Sequence, residues 1–239
     1  AASLDRAAAK GKLSEADRDA ALARLQVVSD YAALADREIV IEAVVESEEE
    51  KLRVFAELDR TVRDQDAILA SNTSSIPIAR LASATQRPDH VLGMHFFNPV
   101  PVLRLVELIP SLRTDDAVAA RAEAFATEVL GKRVIRCPDR AGFVVNVLLV
   151  PYLLSAIRLY EQGFATAEDI DTGMVEGCNH PMGPLRLTDL IGLDTIKAVA
   201  ESLYEEFRDP AFATPPLLAR MVDAGFLGRK SGRGFYDYS

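Results

Sequence analysis

The stretch richest in reactive groups is Ser71-Asn72-Thr73-Ser74-Ser75, where hydroxyls and an amide crowd the end of the apolar run Ala67 to Ala70. Such residues bond nearby backbone, so a capped turn is one reading. The other is a set of donors at the carboxyl end of a strand. His95 ends a second apolar run, in Met94-His95-Phe96-Phe97-Asn98-Pro99-Val100-Pro101. Glu107 lies inside a third, Leu103 to Ile109. A carboxylate buried in a strand is costly unless it is partnered. A Pro-containing turn separates the two residues, which suits neighbouring strands. A His–Glu pair can do acid–base work: the carboxylate fixes the imidazole tautomer and stabilises the imidazolium formed on proton transfer. A purely structural bridge is the alternative. Asn146, within Gly142-Phe143-Val144-Val145-Asn146-Val147, is an amide in an apolar helix and needs a partner, either a facing helix or a substrate oxygen.

These groups need elements to hold them. Ala1 to Lys10 and Ser14 to Gln26 read as helices, with Ser14 as an N-cap. Ile39 to Val45 is an apolar run broken only by Glu42, which suits a strand of a parallel sheet buried on both faces. Ser47 to Arg63 reads as a helix. Short strands follow at Ala67–Ala70, Val91–Phe97 and Leu103–Ile109, then a helix over Asp115–Leu130 and a last strand at Val134-Ile135. This alternation predicts an α/β layered domain over residues 1–138. After Cys137-Pro138 the pattern becomes helical. Gly142–Gln162 is apolar almost all round and contains Pro151, which interrupts one backbone bond. Further helices are expected at Ala167–Glu176, Pro184–Leu190, Leu193–Phe207 and Pro216–Ala224, and a strand at Gly234–Tyr238. Residues 139–239 therefore form an all-α second domain.

Several classes are excluded early. The 239 residues carry 27 basic and 36 acidic side chains, a net charge of −9, which gives no general attraction for nucleic acid or an anionic membrane. Two cysteines are too few for a disulfide framework. His90 and His95, or Cys178 and His180, lack further close ligands, so no metal site is expected. The longest apolar run, near Phe143 to Leu154, is too short to span a membrane. The N-terminus does not read as a signal peptide, which points to the cytoplasm. A Ser-His-acid hydrolase built from Ser74, His95 and Glu107 lacks the Gly-x-Ser-x-Gly elbow. The phosphate loop Gly-x-Gly-x-x-Gly of nucleotide-binding sheets does not occur either.

Six segments together resemble the 3-hydroxyacyl-CoA dehydrogenase family: Ile41–Glu46, Ala70–Ser75, His95–Pro101, Gly142–Asn146, His180-Pro181-Met182-Gly183-Pro184 and Gly232–Tyr236. Their order and spacing run over nearly the whole chain, with a flavour nearest to the short-chain bacterial 3-hydroxybutyryl-CoA dehydrogenases. The resemblance implies a Rossmann-like NAD domain lacking its first βα unit with the Gly-rich loop, so that the chain is a piece of a longer protein. It also implies hydride transfer between NAD and C3 of an acyl-CoA. His95 would be the general base, oriented by Glu107, with Ser74 and Asn146 on the reacting oxygen or thioester carbonyl. Glu46, Lys51, Ser74, Asn98 and Lys230 match cofactor-side positions, and Ser3, Lys10 and Ser74 match positions that touch CoA. Val147 stands where many members carry Arg. The apolar helix after Gly142 and the resemblance both predict a homodimer through the helical domain.

Two other functions fit the same residues. One is a dehydrogenase of the same superfamily acting on a free hydroxy acid or sugar acid. The other is a non-catalytic binding or structural homologue. The intact Ser74, His95, Glu107 and Asn146 set argues against the latter, and the missing nucleotide loop argues for it.

Overall fold

The computed structural model describes residues 2–238; Ala1, expected to open the first helix, lies outside them. The chain begins with two short helices, α1 (Ala2–Ala9) and α2 (Glu15–Ala23). Ser14 caps α2, its hydroxyl accepting from the Asp17 N–H at 3.0 Å. Neither helix buries a residue.

Five strands form one sheet in sequential order: β1 (Ile39–Glu42), β2 (Ile68–Ser71), β3 (Val91–Phe96), β4 (Leu105–Pro110) and β5 (Arg133–Arg136). Strands β1 to β3 are parallel, but β4 runs antiparallel to β3, and β5 is parallel to β4. The reversal follows from the connection. Residues 97–104 are too few for a parallel crossover, which takes a dozen or more. β1 departs from its sequence reading twice. It stops at Glu42 rather than Val45, and it is not buried on both faces, Glu42 being its sole buried residue. As the edge strand it has a neighbour on one side only.

Alternate side chains send the strands' apolar groups to opposite faces. Leu69, Val91 and Ile109 meet Phe55 and Leu58 of α3 (Glu48–Thr61) and Ile78 and Leu81 of α4 (Ile78–Ala82). Ile68, Leu92, Met94, Val106 and Leu108 meet Val118 and Ala122 of α5 (Asp116–Ala124). The helix expected over 115–130 is thus α-helical only to Ala124, after which Phe125–Val129 forms a π turn. α4, five residues long, gave no sequence signal.

The second part is all helical: α6 (Val145–Glu161), α7 (Ala167–Cys178), α8 (Pro184–Ile191), α9 (Leu193–Phe207) and α10 (Pro216–Asp223). Its core includes Leu153, Leu154, Ile157, Leu185, Ile196 and Leu203. α6 starts three residues later than its apolar run because Gly142 and Phe143 take left-handed backbone, with φ of 76° and 52°. Nor is α6 buried all round; Leu148 is 70% exposed. The strand expected at 234–238 does not form. Asp189 holds that tail instead, accepting from the N–H groups of Phe235 and Tyr236 and from the Tyr238 hydroxyl.

The junction between the parts is pinned on both sides. Asp139 accepts the Ile78 and Ala79 N–H groups at the start of α4, and Glu206 of α9 accepts from Arg140 and the Ala141 N–H. Among the described residues no helix is long and apolar enough to cross a membrane.

Candidate active site

The antiparallel register sets His95 directly opposite Glu107. Opposed residues point to one face of the sheet, and His95 Nδ1 meets Glu107 Oε2 at 2.8 Å. Glu107 is wholly buried. Its other oxygen, Oε1, accepts the N–H groups of Val144 and Val145 at 3.0 and 2.9 Å, and the Cys137 thiol lies 3.8 Å away. Those N–H groups open α6, whose N-cap Val144 has no side-chain acceptor to offer. The carboxylate supplies one, at the end of the helix that carries partial positive charge.

All of Glu107's contacts are donors, so it receives the Nδ1–H of His95. That tautomer leaves a lone pair on Nε2. Ser74 Oγ stands 3.0 Å from Nε2 and donates to it. The rings of Phe97 and Phe143 flank the imidazole, with centroids at 4.7 and 5.5 Å.

Ser74 is placed by Glu46. A single oxygen, Glu46 Oε1, accepts from the Thr73 hydroxyl (2.5 Å), the Ser74 N–H (2.9 Å), the Ser75 N–H (3.2 Å) and the Ser75 hydroxyl (3.1 Å). Burial works against the charge on Glu46, but these donors and Lys51 outweigh it and hold its carboxyl below the usual range. The same contacts argue against a hydrolase. Ser74, His95 and Glu107 do line up as a hydroxyl–imidazole–carboxylate relay. However, the N–H after a nucleophilic serine should be free to hold an oxyanion, and here it faces a carboxylate.

The cofactor-side residues of the sequence fall unevenly. Glu46 and Ser74 lie beside His95, at the carboxyl ends of adjacent strands. Asn98 is exposed just beyond β3, in a cis peptide bond with Pro99. Lys51 is not a free cation. Its side chain is 1% exposed, and its ammonium sits 2.7 Å from Glu42 and 3.4 Å from Glu46. Lys230 is exposed in the helical part, paired with Asp194 at 2.6 Å. Ser3 is exposed on α1, its hydroxyl accepting from Arg6, and Lys10 lies one residue past that helix. Asn146 sits in the first turn of α6, half-buried, and its side-chain amide has no hydrogen-bond partner among the described residues. Of the two readings of Asn146, a bond to a facing helix is not the one the described residues form.

Four further residues support the site without having been singled out as site residues in the sequence. Cys137 touches Glu107, Asn72 Oδ1 accepts the Phe96 N–H, and Ser71 and Glu42 are bonded to each other. Ser71 and Asn72 lie in the hydroxyl-rich stretch and Glu42 stands out as a charge in an apolar run, whereas Cys137 gave no signal. Among the described residues no three His, Cys, Asp or Glu side chains gather as metal ligands.

A mostly parallel sheet with an imidazole–carboxylate pair where β3 ends against β4, followed by a helical domain, is the plan of a two-domain nucleotide-dependent dehydrogenase. The chain belongs to the 3-hydroxyacyl-CoA dehydrogenase family: it matches the family's NAD binding domain over residues 1–140 and its C-terminal domain over residues 142–238. It is 63% identical over 236 residues to a 3-hydroxybutyryl-CoA dehydrogenase of Mycobacterium tuberculosis, covering 99% of this chain and 82% of that one. The crystal structure of M. tuberculosis FadB2 superposes with a TM-score of 0.98 at 63% identity, covering 99% of this chain and 83% of the other. The (S)-3-hydroxybutyryl-CoA dehydrogenase PaaH1 of Ralstonia eutropha gives 0.94 at 50% identity, covering 100% and 83%. The cofactor of this family's first domain is NAD.

Two predictions follow from the site. Burial and the adjacent Glu107 charge push the Cys137 thiol up to about 12. A disulfide reagent at pH 8 should therefore titrate one thiol in the native protein, the exposed Cys178, and both thiols in denaturant. Glu46, with its folded pKa below the unfolded value near 4.3, adds stability that is full above that value and lost as pH falls through the folded one. Urea unfolding of Glu46→Gln against the parent should show a stability gap at pH 6 that narrows towards pH 3.

Proposed function

We propose that the chain catalyses NAD-dependent interconversion of (S)-3-hydroxybutyryl-CoA and acetoacetyl-CoA, with His95 as general acid–base. The observation that carries this reading is the Ser74–His95–Glu107 line, with a lone pair on Nε2 and the Ser74 and Ser75 N–H groups turned to Glu46 rather than to an oxyanion. In the oxidation direction Nε2 takes the proton of the C3 hydroxyl. Glu107 steadies the resulting imidazolium by accepting from Nδ1–H, and the Val144 and Val145 N–H groups balance the carboxylate in turn. Ser74, whose hydroxyl lies within reach of Nε2, and Asn146, whose amide has no protein partner, donate to the substrate's oxygens as charge develops there. In reduction, protonated His95 returns the proton. The chemistry that NAD would supply when bound is hydride exchange with C3, accepted in oxidation and given back in reduction.

The nicotinamide half of that cofactor fits the carboxyl ends of β1 to β3. There Glu46, with 40% of its side chain exposed, and the Ser74 hydroxyl stand together beside His95. Asn98 and Lys230 complete the holding set in this reading, and Lys51 enters it through Glu46. Ser3 and Lys10, both exposed, take the CoA moiety. Two free thiols are in keeping with a cytoplasmic setting. The helical part pairs with a second copy in this reading, which would cover large apolar side chains such as Leu148 of α6 and Phe164 in the turn after it, 70% and 80% exposed.

The decisive experiment follows NADH oxidation with acetoacetyl-CoA by the parent and by His95→Gln. The variant should lose roughly 10²–10⁴-fold in kcat, the usual contribution of a general acid–base. Turnover of a free hydroxy acid but none of the thioester would move the reading to another substrate. Sedimentation at micromolar concentration should give twice the 26.0 kDa chain mass; a monomer would remove the dimer.

A further inference from the structure

Behind the residues that face the reaction lies a second layer of charge that the dehydrogenase chemistry does not call on directly. Glu42 ends β1 with its side chain wholly buried. Oε1 accepts from the Lys51 ammonium at 2.7 Å and from the Val44 N–H at 2.6 Å, and Oε2 accepts from the Ser71 hydroxyl at 2.6 Å. Ser71 Oγ in turn accepts the Thr73 N–H at 3.2 Å. Glu42 therefore touches both supports of the Ser74 loop: the turn at 71–73, and the cation that neutralises Glu46.

We propose that Glu42 is a positioning residue for the reaction, holding Lys51 at a distance that leaves Glu46 free to organise Ser74 against His95. The proposal rests on the dehydrogenase reading of this site. Its physical basis is competition for one buried ammonium. Lys51 is 1% exposed, so water cannot satisfy it, and it must pair with a carboxylate. Glu42 supplies the short contact, and Glu46 stays at 3.4 Å through Oε2 while its Oε1 gathers four donors from Thr73, Ser74 and Ser75. With Glu42 neutral, Lys51 has one carboxylate left. The short charge-assisted contact then passes to Glu46, which draws it off the loop. Ser74 loses its backbone anchor, and its hydroxyl leaves Nε2. The route is Glu42 to Lys51 to Glu46 to Ser74 to His95, all by contacts already named.

The test uses Glu42→Gln and the charge-retaining Glu42→Asp in the full chain, assayed below the melting temperature of each variant. Glu42→Gln should lower kcat with acetoacetyl-CoA by roughly 10–100-fold, the scale of a small misplacement in a catalytic constellation. Glu42→Asp should recover a large part of that loss. A second readout needs no turnover. The chain has three histidines, so the ¹⁵N resonance of His95 Nε2 can be assigned by substitution. In Glu42→Gln it should move towards its position in Ser74→Ala. A variant that melts earlier but keeps the parent's kcat and His95 resonance overturns the proposal and leaves Glu42 a structural ion pair. If Glu42→Gln does not fold, Glu42→Asp carries both measurements: its carboxylate, drawn back by one methylene from Lys51, should leave a smaller fall in kcat together with a partial shift of the His95 resonance towards its position in Ser74→Ala, and a fall in kcat without that shift overturns the proposal. If the parent itself does not oxidise NADH with acetoacetyl-CoA, the functional reading fails, while the resonance still reports whether Glu42 sets the Ser74–His95 contact.

Discussion

The structure turns on one buried carboxylate. Glu107 has no water to lean on, so every lone pair must be met by the protein. One oxygen faces the His95 imidazole across the sheet, and the other faces the start of α6 and Cys137. Much local detail serves that requirement. The antiparallel turn of β4 places Glu107 opposite His95. The left-handed pair Gly142-Phe143 bends the chain so that two successive N–H groups point at the carboxylate. The junction contacts of Asp139 and Glu206 keep the bend in place from either side.

A second carboxylate plays a comparable part for the hydroxyl cluster. Glu46 converts a Ser/Thr-rich turn from a self-bonded cap into a platform aimed at the imidazole. The dense run of hydroxyls thus has both of the characters its sequence allows. Thr73 and Ser75 are turn-formers bonded to Glu46 and to local backbone, and Ser74 alone directs its hydroxyl at His95.

The sequence was informative where a residue violated its surroundings. A glutamate within Leu103–Ile109 had to be partnered, and the nearest histidine across a short turn was the partner. Glu42 broke its run in the same way, but its partner Lys51 lies on the following helix, where strand spacing gives no guide. The strand–helix alternation and the all-helical second part were legible from periodicity, since both arise from burial. What stayed hidden depends on single contacts. Phe143 at positive φ has no composition signal. The tail at 234–238 looked like a strand because it is aromatic, yet Asp189 holds it as an irregular segment. The β4 reversal was readable in principle from loop length. Which of its two readings Asn146 follows was not, because an amide in an apolar helix looks the same whether it faces protein or solvent.

The way α6 begins has a thermodynamic consequence. The longest helix of the helical domain has no cap of its own; its first N–H groups are satisfied by a glutamate from the sheet. A helix cap contributes about 1 kcal/mol, and here it exists only while both halves are folded and docked. Loss of the helical domain would also leave Glu107 buried with half its donors gone. Each part therefore completes the other, and the two halves are tied into one cooperative unit rather than two independently melting domains. The imidazole and the start of the helical domain thus hang on one carboxylate, His95 on Oε2 and α6 on Oε1.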